Sequence, residues 1–247
     1  MKDSIMEYTP SLFPDYFPEM LRPIAKNKQQ EQWAFEKNKN LGLELCPSAF
    51  FGGRYGIPLI KKYTQDWPQH FITFSEIKRI GNKDTGVATF DFDQVLNKLV
   101  SNPSLYVGRL STYKCVCEPD LSIRLGDPLA IAIANTFRSH CTSYYLHQQG
   151  CEVIPTMKWS SPDSYEVCFS GYEKGGAVIV STIGVTRDER SRMYFIRGFN
   201  EMLNRISPDS VGLYGDRHEW IDKLIPSQLD VRYFFHERFN RMRGYGK

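Results

Sequence analysis

Carboxylate side chains follow several apolar segments of this 247-residue chain, at Asp91, Glu118, Asp120 and Asp216. If the apolar segments are parallel strands, these side chains meet at one edge, where the C-terminal ends of the strands gather. Carboxylates grouped in this way suit general acid–base catalysis, or a hard divalent cation such as Mg²⁺ or Mn²⁺. An aspartate after a strand is also a common turn residue, so a purely structural role stays open.

Other polar and aromatic residues at the same predicted edge could contact a substrate: Thr156, Trp159, Ser181, Thr182 and Tyr214. Together with the carboxylates they predict a site for a nucleic-acid or other phosphate-bearing substrate. The alternative is a non-catalytic protein that binds either DNA or a partner protein of the virion or the host cell. The residue types alone do not decide whether the chain is an enzyme.

The C-terminal region is rich in arginine interleaved with aromatic residues, and its candidate nucleic-acid-binding residues are Arg232, Arg238, Arg241 and Arg243. This composition is typical of segments that bind single-stranded nucleic acid or a phosphate backbone. It is also typical of a surface tail that docks on an acidic partner. The net charge of +3 is too small to imply nucleic acid by itself.

Several well-known motifs are absent from the sequence. The histidines form no zinc-binding pattern, no Gly-x-Ser-x-Gly nucleophile elbow occurs, and the glycine-rich residues 52–56 lack the Lys-Ser/Thr ending of a phosphate loop. The six cysteines, most of them in apolar segments, are typical of reduced thiols in a cytosol. No run of about 18 apolar residues predicts a membrane span.

Alternating strand and helix patterns position the candidate residues. Apolar segments predict strands at residues 71–74, 87–91, 114–120, 152–156, 177–182, 210–214 and 229–235. Helical periodicity is strongest at residues 187–206 and after Asp127, which is a good N-cap with Pro128 as the first helical residue and Gly150 as the end. This alternation predicts an α/β fold of mainly parallel strands joined by crossover helices.

The number of strands bears on the architecture. Six or seven strands are too few for a complete eight-unit barrel, so we predict an incomplete or distorted TIM-barrel-like form. An open doubly wound sheet is the alternative. The α/β domain is predicted at residues 66–235, after an irregular N-terminal arm and polar helix at residues 1–65 and before a basic C-terminal tail at residues 236–247.

Four short motifs stand in a characteristic order and spacing: Pro119-Asp120-Leu121-Ser122, Asp127-Pro128-Leu129-Ala130, Val153-Ile154-Pro155-Thr156 with Trp159-Ser160, and Val180-Ser181-Thr182-x-Gly184. From about Phe71 to Tyr214, the chain thereby resembles domain-of-unknown-function family 4417. The resemblance implies a protein of a bacteriophage, prophage or mobile element, and it implies no particular activity. The location that follows is the host bacterial cytoplasm, with the virion as an alternative.

Overall fold

A computed structural model describes residues 42–185 and 188–235, in which strands and helices alternate. The strands are β1 (Phe51–Gly52), β2 (Ile57–Pro58), β3 (His70–Thr73), β4 (Thr85–Ala88), β5 (Cys115–Cys117), β6 (Val153–Ile154), β7 (Thr156–Met157), β8 (Ala177–Ser181), β9 (Ser210–Tyr214) and β10 (Asp230–Phe234). The α-helices are α1 (Asp93–Ser101), α2 (Ser104–Leu110), α3 (Leu129–Gln148), α4 (Tyr165–Cys168), α5 (Glu189–Ile206) and α6 (Glu219–Asp222). The 3₁₀-helices are Leu43–Leu45, Phe74–Glu76 and Pro162–Ser164.

Two four-stranded sheets form the centre of the fold, with strand orders β3-β4-β5-β6 and β10-β9-β8-β7. Every pairing in these sheets is parallel, which confirms the prediction of parallel strands with crossover helices. The strand order follows the chain, without the reversal of a doubly wound sheet. Within the described residues β3 and β10 remain sheet edges, so no closed barrel forms and the TIM-barrel-like prediction is not confirmed.

Pro155 separates β6 from β7 and divides the parallel strands between the two sheets. The first of these strands pairs with β5, and the second pairs with β8. A proline has no N–H to donate to a ladder, although the Pro155 carbonyl still accepts from the Ile179 N–H at 2.9 Å. The single strand predicted at residues 152–156 is therefore two short strands, one in each sheet.

Helices cover one face of each sheet. Apolar side chains of α5, among them Phe199 and Met202, pack with residues of β8 and β9, while α1 and α2 pack on β4 and β5. A further buried cluster draws on strands of both sheets. In it the rings of Phe71 on β3 and Phe234 on β10 lie edge to face with centroids 4.8 Å apart. The two sheets therefore share one apolar interior.

The start of α3 corrects one detail of the sequence prediction. Pro128 has an extended backbone with ψ of 142°, so the helix begins at Leu129 and Asp127 is not its N-cap. The Asp127 carboxylate instead accepts from the Arg124 N–H at 3.2 Å, which closes a turn before the helix. For α5, the N-cap is Asp188, and the predicted start at residue 187 lies outside the described residues.

Residues 42–65, predicted as part of the N-terminal arm, contact the α/β body directly. The Ile60 N–H donates to the Gly171 carbonyl at 2.9 Å, and His140 on α3 bonds the Pro58 carbonyl. The predicted boundary at residue 65 stays a prediction. No helix in the described ranges is both long and apolar enough to cross a membrane.

Candidate functional site

Glu118 lies one residue after β5 and is completely buried. Its Oε2 atom accepts from the Tyr172 hydroxyl at 3.0 Å and from the Thr156 N–H at 3.3 Å. The Glu118 backbone carbonyl accepts the Thr89 and Thr156 hydroxyls at 2.5 and 2.9 Å. These contacts hold the carboxyl group in one orientation at the C-terminal edge of the first sheet.

His140 on α3 faces the same carboxyl group from the helix layer. Its Nε2 atom lies 3.5 Å from Glu118 Oε1, and both side chains are 0% exposed. On the other side of the ring, Nδ1 lies 2.8 Å from the Pro58 carbonyl oxygen. The imidazole therefore bridges the strand β2 and the carboxyl group of Glu118.

Burial dominates the ionisation of this pair. It raises the pKa of Glu118 to about 7, although the Lys158 charge and the hydrogen bonds from Tyr172 and Thr156 act in the opposite direction. Burial also lowers the pKa of His140 to about 3, against the hydrogen bond to Pro58. Burial thus shifts both groups towards their neutral forms, as expected where water is excluded.

Lys158 brings a buried cation to the same place. The side chain follows β7, is 9% exposed, and donates from Nζ to the Pro119 carbonyl at 2.7 Å and to Ser139 Oγ at 2.9 Å. The Ser139 hydroxyl in turn donates to the Pro119 carbonyl at 2.7 Å. A buried ammonium needs such acceptors, because the loss of water around a charge is costly.

Asp120 is half-buried and directly follows Pro119, whose carbonyl accepts from Lys158. Burial raises the pKa of Asp120 to about 6, Lys158 lowers it, and the negative charges of Glu118 and Asp93 raise it. We define the Glu118 cluster as Glu118, Asp120, His140, Lys158 and Tyr172. Of its members, Asp120 is half-buried and the other four are buried.

Two of the predicted carboxylates take other roles at this edge. The Asp91 carboxylate accepts from the backbone N–H groups of Ser75 and Phe92 at 3.2 and 3.1 Å, as in a turn. Asp216 is exposed, and its backbone carbonyl accepts the Thr182 hydroxyl at 3.0 Å. Glu118 and Asp120 are thus the predicted carboxylates that join one cluster.

The predicted substrate-binding residues are mostly buried or engaged within the fold. Thr156 bonds Glu118, Thr182 bonds the loop after β9, and Ser181 Oγ accepts from the Ile183 N–H at 3.2 Å. Tyr214 is buried and stacks on Phe90 with centroids 4.7 Å apart. These residues shape the walls of the strand-end region.

Trp159 follows Lys158 and turns towards the helix layer. Its Nε1 atom donates to the Tyr194 carbonyl of α5 at 3.2 Å, and its ring lies 5.5 Å from that of Phe195. The indole is therefore a packing element between the loop after β7 and α5. A role in substrate binding stays a prediction.

The nucleic-acid-binding prediction falls mostly beyond the described part of the chain. Arg238, Arg241 and Arg243 lie outside the described residues. Arg232 on β10 has a side chain that is 60% exposed and pairs with Asp230 at 3.4 Å. It lies away from the Glu118 cluster, beside a cavity of about 470 Å³ at the opposite edge of the sheet, next to Asp209 and Ser210.

A divalent cation also stays a prediction. Within residues 42–185 and 188–235, no group of three or more His, Cys, Asp or Glu side chains is arranged to hold a metal ion. A cation at this edge would therefore need oxygen ligands from water or from a substrate phosphate. Mg²⁺ is often bound in that way, through one or two carboxylates and the phosphate oxygens of the substrate.

Sequence reasoning missed His140 and Tyr172 as members of the cluster. His140 lies within the periodic apolar pattern of α3, and Tyr172 lies in the loop between α4 and β8. No spacing motif links either residue to Glu118. The Pro119-Asp120 motif next to Glu118 was the signal that located the cluster.

A family model described as Domain of unknown function (DUF4417) matches residues 50–232. Two curated relatives are the Gene 1 protein of Mycobacterium phage D29, 29% identical over 138 residues, and the Gene 1 protein of Mycobacterium phage L5, 28% identical over 138 residues. Each alignment covers 56% of this chain, and 51% and 60% of the two phage proteins, so the chain spans about half the length of the curated relatives it matches. No solved structure matches the chain.

Proposed function

Because the chain belongs to the family DUF4417, whose name assigns no activity, we propose its function from the chemistry of the Glu118 cluster. In this proposal the cluster is an acid–base site that acts on a nucleic-acid or other phosphate-bearing substrate. The phage proteins among the relatives support a role in a bacteriophage or mobile element. The protein would then work in the host bacterial cytoplasm or in the virion.

The observation that carries the proposal is the burial of ionisable side chains together at the strand ends. Glu118 and His140 are 0% exposed and Lys158 is 9% exposed. Grouping such residues costs folding free energy, since well-packed apolar side chains could fill the same volume at lower cost. Ionisable groups with shifted pKa values that gather at one place are therefore typical of functional sites.

The side chains divide the work by position. Asp120 is proposed as the general acid or base, since it is half-buried and its raised pKa of about 6 lies near neutral pH. Lys158 supplies a buried cation whose charge favours the ionised form of Asp120. Mg²⁺ or Mn²⁺ between the Asp120 carboxylate and a substrate phosphate remains part of the proposal.

An open barrel is proposed as the finer description of the fold. Its support is the strand order, which follows the chain in both sheets, and the contact between Phe71 and Phe234 on the two edge strands. In such a barrel the Glu118 cluster lies at the C-terminal mouth, where barrel enzymes hold their active sites.

The test compares wild type with Asp120→Asn on labelled DNA, RNA and phosphomonoesters, with Mg²⁺, Mn²⁺ or a chelator. The Asn variant is expected to lose at least roughly 100-fold in turnover, the usual contribution of a general acid or base. Asp163→Asn is the matched control, because Asp163 is an exposed residue after β7 and outside the cluster. Equal turnover by wild type and Asp120→Asn would refute the proposed role.

The alternative is non-catalytic binding to DNA or to a virion or host protein. Its specific support is the exposed Arg232 and the arginines that follow it in the sequence. The full-length chain with Arg238, Arg241 and Arg243 changed to alanine tests it in a DNA-binding assay at several salt concentrations. A weaker, less salt-dependent affinity together with no turnover by wild type would favour this alternative.

A further inference from the structure

The Glu118 Oε1 and His140 Nε2 atoms face each other at 3.5 Å in a place closed to solvent. Within the described part of the chain, neither atom has a hydrogen-bond partner of its own. Two buried polar atoms without partners are costly unless they satisfy each other. A single proton between them would do so.

The hydrogen bonds on the far side of each group decide where that proton can lie. The Pro58 carbonyl can only accept, so Nδ1 of His140 carries a hydrogen and Nε2 of the neutral ring has a free lone pair. Glu118 Oε2 already accepts from the Thr156 N–H and the Tyr172 hydroxyl. The proton of a neutral Glu118 therefore belongs on Oε1, which faces Nε2.

Charges around the pair favour a neutral state. The titratable or charged groups that act on Glu118 or His140 are Lys158 and Tyr172, and the charge of Glu118 also acts on Asp120, Cys117 and Cys168. Lys158 can balance one carboxylate. If Asp120 is that carboxylate, a second negative charge on Glu118 would have no counterion in the cluster.

We propose that His140 is a positioning residue whose Nε2 atom accepts a hydrogen bond from the protonated Oε1 of Glu118 and so keeps this buried carboxyl neutral, which leaves Asp120 as the carboxylate whose charge Lys158 balances. The inference rests on the proposed function, in which Asp120 is the general acid or base, and it names the contact between Glu118 and His140 as the one that controls the ionisation of Asp120. Glu118 and His140 do not touch the substrate. They act through Asp120, because an ionised Glu118 would oppose its ionisation.

The first measurement is the imidazole nitrogen spectrum of the ¹⁵N-histidine-labelled full-length protein, with His140→Gln used to assign the signal among the five histidines. A neutral His140 ring protonated on Nδ1 and bare on Nε2 at neutral pH is the expected result. A doubly protonated ring, or a hydrogen on Nε2 alone, would overturn the proposal. The spectrum is recorded on the wild-type protein, and His140→Gln is needed only to assign the signal.

The second measurement records the ¹³C chemical shifts of the Glu118 and Asp120 carboxyl carbons as a function of pH, in wild type, His140→Gln and His140→Phe. The midpoint of each titration curve gives the pKa of that carboxyl group. Loss of the acceptor in His140→Phe should lower the Glu118 midpoint by about one pH unit and raise that of Asp120, while His140→Gln keeps an acceptor and shifts both less. Unchanged midpoints in His140→Phe would contradict the inference. No substrate is involved, so these results stand apart from the activity of Asp120→Asn.

Discussion

Gly198 on α5 provides a sharp test of how Trp159 is held beside the site. A Cβ atom at this position would overlap the Nε1 and Cδ1 atoms of the Trp159 indole. The indole has little freedom to withdraw, because Nε1 donates to the Tyr194 carbonyl and the ring packs near Phe169 and Phe195. Gly198→Ala should therefore force the loop after β7 away from α5.

The expected size of the effect follows from three contributions. Overpacking of a close contact costs about 1–3 kcal/mol, and loss of the Trp159 hydrogen bond costs about 1 kcal/mol. The higher helix propensity of alanine stabilises α5 by about 1 kcal/mol relative to glycine. The Gly198→Ala variant should thus be less stable than wild type by about 1–3 kcal/mol.

Gly108 on α2 is the matched control, since a Cβ atom there would have no neighbour within 4 Å. Gly108→Ala should gain up to about 1 kcal/mol from helix propensity alone. Urea unfolding, followed by circular dichroism, gives both free energies of unfolding. If Gly198→Ala were as stable as Gly108→Ala, the close contact between α5 and Trp159 would be wrong.

Three further predictions concern the buried polar groups and thiols. The folded-state pKa of Glu118 is raised from 4.5 to about 7, so the contribution of Glu118 to the free energy of unfolding is complete below pH 4.5 and is lost as the pH rises to about 7. The loss is roughly 3 kcal/mol at most. Urea unfolding of Glu118→Gln across the same pH range should not show this loss. Tyr172→Phe removes a buried donor to Glu118 and should cost about 1–3 kcal/mol, whereas Tyr145→Phe, at a half-buried position on α3, should cost little, and equal costs would contradict the assigned bond. All six cysteines are free and buried, so a thiol reagent should label the folded protein only as it unfolds, and rapid labelling would disprove their burial.

The strand-end carboxylates show what the sequence could predict. Glu118 follows β5 directly, so the position of the strand determines the edge at which it lies, whereas Asp120 comes three residues after the end of β5 at Cys117. Asp91 comes three residues after the end of β4 at Ala88, and the chain has already turned there. Asp91 and Asp120 thus lie at the same separation from their strands and take different roles, which the sequence alone could not distinguish.

His140 and Tyr172 show what the sequence could not predict. The helical period indicates which face of α3 is buried, but it does not indicate which buried position meets a carboxyl group. That choice depends on the distance between α3 and the sheet, which is a property of the packed structure. Tyr172 reaches Glu118 from a loop whose direction after α4 follows no periodic pattern.

Pro155 connects the architecture to the site through the hydrogen bonds of β5. The Glu118 N–H still donates to the Ile154 carbonyl at 2.9 Å, as in a regular parallel ladder. At the next position of the ladder, the Thr156 hydroxyl donates to the Glu118 carbonyl, and the Thr156 N–H donates to Oε2 of the Glu118 side chain. The strand break thereby frees a backbone donor for Oε2 and leaves Oε1 to His140. If the strand continued unbroken past Ile154, the Thr156 N–H would donate to the Glu118 backbone carbonyl in the ladder. Oε2 of Glu118 would then keep only one of the two hydrogen bonds that orient the carboxyl group.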